Sequence, residues 1–148
     1  MTLKTLKVPA NCDSQMKAHL EAAWPNEGCG ILIGRIDGDT AIVTRVVDAE
    51  NQNTERGADR FEIDPMFYYR TERELADGER VIGFVHSHPD CPAVASETDR
   101  QFALNWPGFA WLIYRVDQRQ SKGARTWIIN DDTSQFEEIE TIFTDTDN

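Results

Sequence analysis

Val81-Ile82-Gly83-Phe84-Val85 is a short apolar run rich in β-branched residues that passes directly into His86-Ser87-His88-Pro89. A run of this kind forms a buried strand. The chain must therefore build a sheet in which a buried strand carries two histidines at its C-terminal end, where Pro89 is expected to stop regular pairing. Side chains at i and i+2 of a strand project from one face, so both imidazoles reach a single ion without distorting the backbone. Asp99, eleven positions after His88, supplies a carboxylate as third ligand if the intervening loop folds back. Three protein ligands leave a fourth tetrahedral position for water, which distinguishes catalytic from closed structural zinc. Water held there becomes hydroxide near neutral pH and can attack a carbonyl.

The stretch from Pro89 to Ala95 has two prolines and one acidic residue and reads as a loop. Ser96-Glu97-Thr98-Asp99 then reads as a helix start, with the helix continuing through Phe102 and Leu104. Ser96 and Asp99 have a second reading as the two ends of a capping box, in which each side chain bonds the other's backbone N–H. Taken alone that reading is the stronger one. Beside His-x-His the balance shifts, because two polar rings at a strand end need a partner.

The remaining chain alternates between α and β patterns. Thr2 to Val8 alternates as a first strand, and Ser14 is expected to cap a helix carrying Met16, Leu20 and Ala23 that ends before Pro25. Cys29 to Ile36 and Ala41 to Val47 flank Asp37-Gly38-Asp39, a hairpin signal. Asp64-Pro65 opens a helix bearing Met66, Phe67, Tyr69 and Leu75 that closes at Gly78. Ala110 to Val116 and Arg125 to Ile129 are expected to form a hairpin around Ser121-Lys122-Gly123, and Gln135 to Phe143 a final strand or short helix. The polar stretch Asn51 to Gly57 reads as a solvated connector or a mobile loop beside the site. The fold class is α/β: a mixed sheet with helices on both sides. At 148 residues, with no repeat or linker, the expectation is one domain spanning residues 1–148.

Composition narrows the function classes. A net charge of −11, with 26 acidic against 15 basic residues, argues against nucleic acid, whose phosphates are held by clustered Lys and Arg. Asp145 and Asp147 are the last of these acids, which are otherwise spread along the chain. Lysine occurs only at positions 4, 7, 17 and 122; this would suit a high-salt solvent, but an ordinary acidic protein is the simpler reading. The three cysteines form no Cys-x-x-Cys pair, so neither a disulfide framework nor a cysteine-rich zinc site is expected, and the cytoplasm is the natural compartment. The N-terminal residues lack the apolar core of a signal peptide, and no apolar run approaches the roughly 20 residues of a membrane helix. Cys29 precedes Ile31-Leu32-Ile33 and reads as a buried packing thiol. Cys91 lies in the metal loop, but the histidines and Asp99 already complete the site. His19 reads as a surface residue of a separate helix.

His-x-His, ten residues and Asp, with Ser three before the Asp, resembles the JAMM (MPN-plus) metalloproteases. Their motif also has an upstream glutamate, which Glu27 fills in Glu27-Gly28-Cys29-Gly30, the Glu-x-Cys-Gly form of small bacterial members. Arg60-Phe61-Glu62-Ile63-Asp64-Pro65 is similar to the segment these members carry before their central helix. The likeness runs from Glu27 to Trp111 and departs at Ala95, where the family usually has proline. It implies a curved, cytidine-deaminase-like sheet in which His86, His88 and Asp99 hold zinc. It further implies that Glu27 shuttles protons to and from the reacting groups and that Ser96 hydrogen-bonds the oxyanion. Without that company Glu27 reads as an exposed loop carboxylate. Small bacterial members cut after the Gly-Gly tail of ubiquitin-like sulfur carriers, so a zinc isopeptidase or peptidase is the first expectation. A non-catalytic MPN scaffold is the competing class; such members typically lack the ligands that this chain retains. A zinc deaminase would need a Cys-x-x-Cys, which this chain lacks. Oligomeric state is open.

Overall fold

The computed structural model describes residues 2–146; Met1, Asp147 and Asn148, the ends of the expected domain, lie outside the described residues. Along the chain run β1 (Thr5–Val8), α1 (Ala10–Ala23), β2 (Cys29–Asp37), β3 (Thr40–Ala49) and α2 (Pro65–Arg73). After these come β4 (Arg80–Pro89), α3 (Glu97–Ala103), β5 (Ala110–Asp117), β6 (Gln120–Asn130) and β7 (Gln135–Phe143). The strands pair in the order β1-β3-β2-β4-β5-β6-β7, and β1 pairs with β7 to close a barrel. The β1–β3, β1–β7 and β4–β5 pairs are parallel and the rest antiparallel, so the expected mixed, curved sheet is what forms. Among the described residues no helix is long and apolar enough to cross a membrane.

Helices cover two faces. Cys12, Met16 and Leu20 of α1 pack with Leu32, Val43, Val85, Leu112 and Tyr114 in one buried cluster. Ile31, Ile33, Phe84 and Trp111 form a second, closed over by Phe67 and Tyr68 of α2 and Phe102 of α3. Alternation along β2 sends Leu32 to one cluster and Ile31 and Ile33 to the other, as a period of two requires. On β4 the pairing with β2 passes from Leu32↔Gly83 to Ile33↔Val81 and skips Ile82. That bulge resets the alternation, so Phe84, His86 and His88 point to the second cluster.

Four elements depart from the sequence expectation. α1 starts at Ala10 with Pro9 as N-cap, so Ser14 lies inside the helix and caps nothing; proline needs no N–H partner at a helix start. α2 stops at Arg73, well before Gly78, which adopts φ 83° in the following turn. The β5–β6 turn is Gln118-Arg119, with φ 46° and 68°, rather than Ser121-Lys122-Gly123. A two-residue turn with both φ positive matches the twist of a hairpin, while Gly123 sits within β6 at φ 115° near a shift in register. Finally, β1 is shorter than expected, Thr5–Val8 rather than Thr2 to Val8, while β4 ends at Pro89 as expected, with Pro89↔Val116 its last pair with β5. Proline lacks only the donor, and the C=O side of the ladder remains usable. Gln135–Phe143 resolves to a strand.

Gly83 lies against β5 with no room for a side chain. A Cβ there would lie 2.0 Å from the Ala110 carbonyl oxygen, a backbone atom of a central strand. Gly83→Ala should therefore cost about 3 kcal/mol. The check is the urea midpoint, which should drop at an unchanged m-value; an unaltered midpoint would mean the two strands can part here.

Candidate metal centre

β4 leads into a loop and α3 before the chain returns as parallel β5, a crossover that puts the site at the carboxyl end of a strand. His86 is fully buried and His88 is 5% exposed, on the same face of β4. α3 brings Asp99, also 5% exposed, against both rings. Asp99 Oδ1 lies 3.1 Å from His86 Nε2, and Oδ2 lies 3.1 Å from His88 Nε2. The three residues offer ligand atoms within 4.8 Å of one another, the group of this kind among the described residues.

The capping-box reading of Ser96 and Asp99 holds, and it leaves Asp99 facing the histidines. Ser96 is the N-cap of α3, its Oγ accepting from Asp99 N at 3.1 Å, while Ser96 N donates to Asp99 Oδ2 at 2.9 Å. The capping box aims the carboxylate at the histidines, and the Ser96 side chain stays exposed.

The hydrogen bonds test whether a cation belongs here. His88 Nδ1 lies 2.8 Å from the Pro92 carbonyl and donates to it, which leaves a lone pair on Nε2 if the ring is neutral. That lone pair would face the Asp99 oxygen, and two acceptors at 3.1 Å repel unless a proton or metal ion lies between them. His86 is starker. Neither ring nitrogen has a hydrogen-bond partner among the described residues, because Nε2, though 3.1 Å from Asp99, is not aligned with it. A metal ion would satisfy His86 Nε2, His88 Nε2 and Asp99 together, and the donor set of two imidazoles and a carboxylate suits zinc or a similar divalent ion. The electrostatics also demand positive charge. Burial would lower the His88 pKa, yet Asp99 and the Pro92 carbonyl raise it overall. Burial would likewise raise that of Asp99, yet the imidazoles and Ser96 N–H hold its carboxyl well below the usual range.

Glu27 completes the cluster from the start of β2. The register Cys29↔His86 runs on to Ser87 N donating to Gly28 O at 3.1 Å, with Gly28 N donating to Ser87 Oγ at 2.8 Å. Glu27, two residues before β2, is thereby held near enough to feel the charges of His86, His88 and Asp99. It is 4% exposed, and its Oε1 has no partner among the described residues. Burial pushes its pKa up to about 7, against the opposing pull of His86 and His88 and with a further push from Asp99. It is no exposed loop carboxylate.

The other candidates separate. Cys29 is buried, its thiol pushed up to about 12 by burial and by Glu27, so it packs and does not attack. Cys91 is exposed and lies outside the ligand group. His19 is not a free surface residue: its Nε2 bonds the carbonyls of Cys29 (2.9 Å) and Ala49 (3.1 Å), closing the end of the β2–β3 pair. The segment from Asn51 to Gly57 lies between β3 and α2 and is ordered by side-chain bonds. Sequence reasoning missed three contributors. Ser87 bridges to Gly28. Phe61 stacks on His86 with ring centroids 4.6 Å apart. Asn51 ties its loop to Glu27. A serine inside a buried strand was a readable signal; the contacts of Phe61 and Asn51 were not.

The profile of prokaryotic homologs of the JAB domain matches residues 9–130, most of the chain and every residue of this cluster. The chain belongs to that family. A desampylase from Haloferax volcanii is 32% identical over 132 residues, covering 86% of this chain and 91% of that protein. Among solved structures, a protein from Desulfitobacterium hafniense has a TM-score of 0.79 at 28% identity, covering 97% of this chain and 95% of its own. One from Salinibacter ruber has a TM-score of 0.69 at 31% identity, covering 98% and 92%. The family resemblance read from Glu27 to Trp111 thus extends over nearly the whole chain.

The cluster generates a metal-binding prediction. Purified protein should carry close to one equivalent of a divalent ion, which His88→Ala should largely remove because two ligands cannot close the shell. Affinity should also fall toward acid as protons compete for the imidazoles. Metal analysis checks this, and full retention in His86→Ala or His88→Ala would refute the ligand assignment.

Proposed function

We propose that the protein is a zinc-dependent isopeptidase or peptidase that hydrolyses the amide bond after the C-terminal Gly-Gly tail of a ubiquitin-like sulfur carrier. The observation that carries this reading is the buried Glu27 carboxylate, with an oxygen left without a partner among the described residues beside His86, His88 and Asp99. Kinship with a desampylase supports isopeptidase action on a ubiquitin-like modifier. The narrower substrate, a sulfur carrier ending in Gly-Gly, rests on the resemblance to small bacterial JAMM proteins. The chain would act as one domain over residues 1–148. A reducing cytoplasm suits its three free cysteines.

His86, His88 and Asp99 would hold the zinc, with Ser96 N–H and the Pro92 carbonyl fixing Asp99 and His88 from behind. Zinc bound there would supply Lewis acidity, activating water and polarising the scissile carbonyl. Glu27 takes the proton of the attacking water on its unpartnered oxygen and returns it to the departing amine. A pKa lifted by burial makes a carboxylate a better base for the first transfer and a usable acid for the second. Asp99 N occupies one lone pair of Ser96 Oγ, so the hydroxyl proton is free to point outward and hydrogen-bond the oxyanion. Cys29, its thiol pushed up by burial, packs in the second cluster with Sγ toward the Ala49 carbonyl.

Glu27→Gln separates proton transfer from metal binding. It should keep its metal and its fold, while cleavage of a carrier extended beyond Gly-Gly falls at least ~10²-fold, as when a general base is lost. Mass spectrometry of the products gives the readout. A Glu27→Gln variant as fast as wild type would refute the role of Glu27. Metal-loaded wild type that binds such carriers tightly and cleaves none would favour a scaffold.

A further inference from the structure

Glu27 precedes β2, which begins at Cys29, so its own peptide groups lie outside the ladder. Both are instead held by the loop between β3 and α2. Glu27 N donates to the Gly57 carbonyl at 2.6 Å, and the Glu27 carbonyl accepts from Asn51 Nδ2 at 2.9 Å. The Asn51 amide is used at both ends. Nδ2 also donates to Arg60 O at 2.9 Å, while Oδ1 accepts from Asn53 N at 2.9 Å and Glu62 N at 3.1 Å. One side chain thus joins the start of the loop, its end and the residue that carries the proposed base. Gln52 N donating to Glu62 O at 2.9 Å closes the loop's neck. Gly57 is packed so closely that a Cβ would come within 2.9 Å of Asn53 O. At the loop's far end, Phe61 lies on the His86 ring.

We propose that Asn51 is a positioning residue: its amide fixes the Glu27 backbone, and through it the carboxylate, against the metal cluster. The proposal rests on the reading of Glu27 as general base. The Glu27 side chain has an oxygen with no hydrogen bond among the described residues to steady it, so its aim depends on where its Cα is held. A misplacement near ~1 Å can cost ~10²-fold in rate. The set of bonds needs a side chain that both donates and accepts. An aspartate in place of Asn51 would keep the two acceptor bonds but lose both donor bonds, to Glu27 O and Arg60 O, and an alanine would lose all four.

The test uses Asn51→Ala and Asn51→Asp in the full chain, with Asn53→Ala as control. The Asn53 side chain bonds Arg56 N and Glu62, both within the loop. Asn51→Ala and Asn51→Asp should keep full metal content and near-normal KM while kcat on an extended carrier falls ~10–10²-fold. In a Glu27→Gln background the same substitutions should cost less than ~3-fold more, because they act through a base already disabled. Asn53→Ala should stay within ~3-fold of wild type throughout. Hydrogen exchange supplies a readout without turnover: the Glu27 amide should exchange at least ~10-fold faster in both Asn51 variants, with the β4 amides unchanged. Wild-type kcat, unchanged Glu27 exchange, loss of metal, or a full additive penalty in the Glu27→Gln background would each overturn the proposal. Should Asn51→Ala fail to fold, Asn51→Asp, which loses only the two donor bonds, decides by the same criteria. Faster Glu27 exchange in a protein that cleaves no carrier would count against the proposed function and leave the positioning of Glu27 standing.

Discussion

The register of β2 against β4 is the constraint on which the rest of the site depends. Cys29 pairs with His86, and the bulge at Ile82 sets which face the histidines occupy. Without that extra residue the alternation would turn His86 and His88 toward α1 and its largely apolar cluster, because a slip of one residue exchanges the faces of a strand. With it, they face Asp99 on α3, and the same pairing carries Glu27 across from the start of β2. Both sides of the register are pinned next to the site by the paired bonds of Gly28 and Ser87. Gly83 then lets β5 approach closely enough to back the arrangement with Trp111.

Burying three ionisable groups together with Glu27 is costly unless each is compensated. The compensation is unequal. Asp99 is well supplied, with the Ser96 N–H and two imidazoles around it. His88 is anchored through Pro92. His86 has aromatic neighbours, Phe61 stacked on one face and Trp111 edge-on, which fix its plane without satisfying either nitrogen. Glu27 is left with burial as its dominant influence. Water exclusion by these rings strengthens every charge interaction inside the cluster. His86 and Glu27 are the two residues of the cluster with unmet polar atoms among the described residues; in the proposed chemistry His86 Nε2 would join the metal and Glu27 Oε1 would take the proton.

How much of this was legible follows from which physical signal each part leaves in a sequence. Strand alternation made His86 and His88 neighbours on one face, and the Ser96–Asp99 spacing showed the helix start in both of its readings. Length and type of the strands followed from apolar runs, which is why β2 to β5 lie close to where the pattern placed them, while the polar first half of β6 was not read as strand. What failed were the features that rest on a single residue's backbone or on tertiary contact. Pro9 starts α1 without a polar cap, so the capping residue that composition suggests, Ser14, falls one turn late. Gln118 and Arg119 take left-handed conformations to which a glycine, such as the one at 123, is intrinsically better suited. Burial of Glu27 and the bonds of His19 to two carbonyls depend on residues distant in the sequence, and composition leaves no trace of them. The polar stretch from Asn51 to Gly57 has the make-up of a solvated connector. Its order comes from amide-to-backbone bonds, which the same make-up can form or leave unformed.

The site therefore draws on two kinds of support. His86 and His88 stand on a central strand paired on both sides, and such backbone opens only with much of the domain. Glu27 is held by a loop through two bonds, from its own N–H to the Gly57 carbonyl and from the Asn51 amide to its carbonyl. Local hydrogen-bonded loops open at far lower free energy than paired core strands. If the proposed roles hold, the part of the site that would hold an ion and the part that would move a proton are supported by different elements, the first by a paired strand and the second by a loop. The loop that holds the carboxylate also carries Phe61 onto His86, and that contact is the physical link between the two.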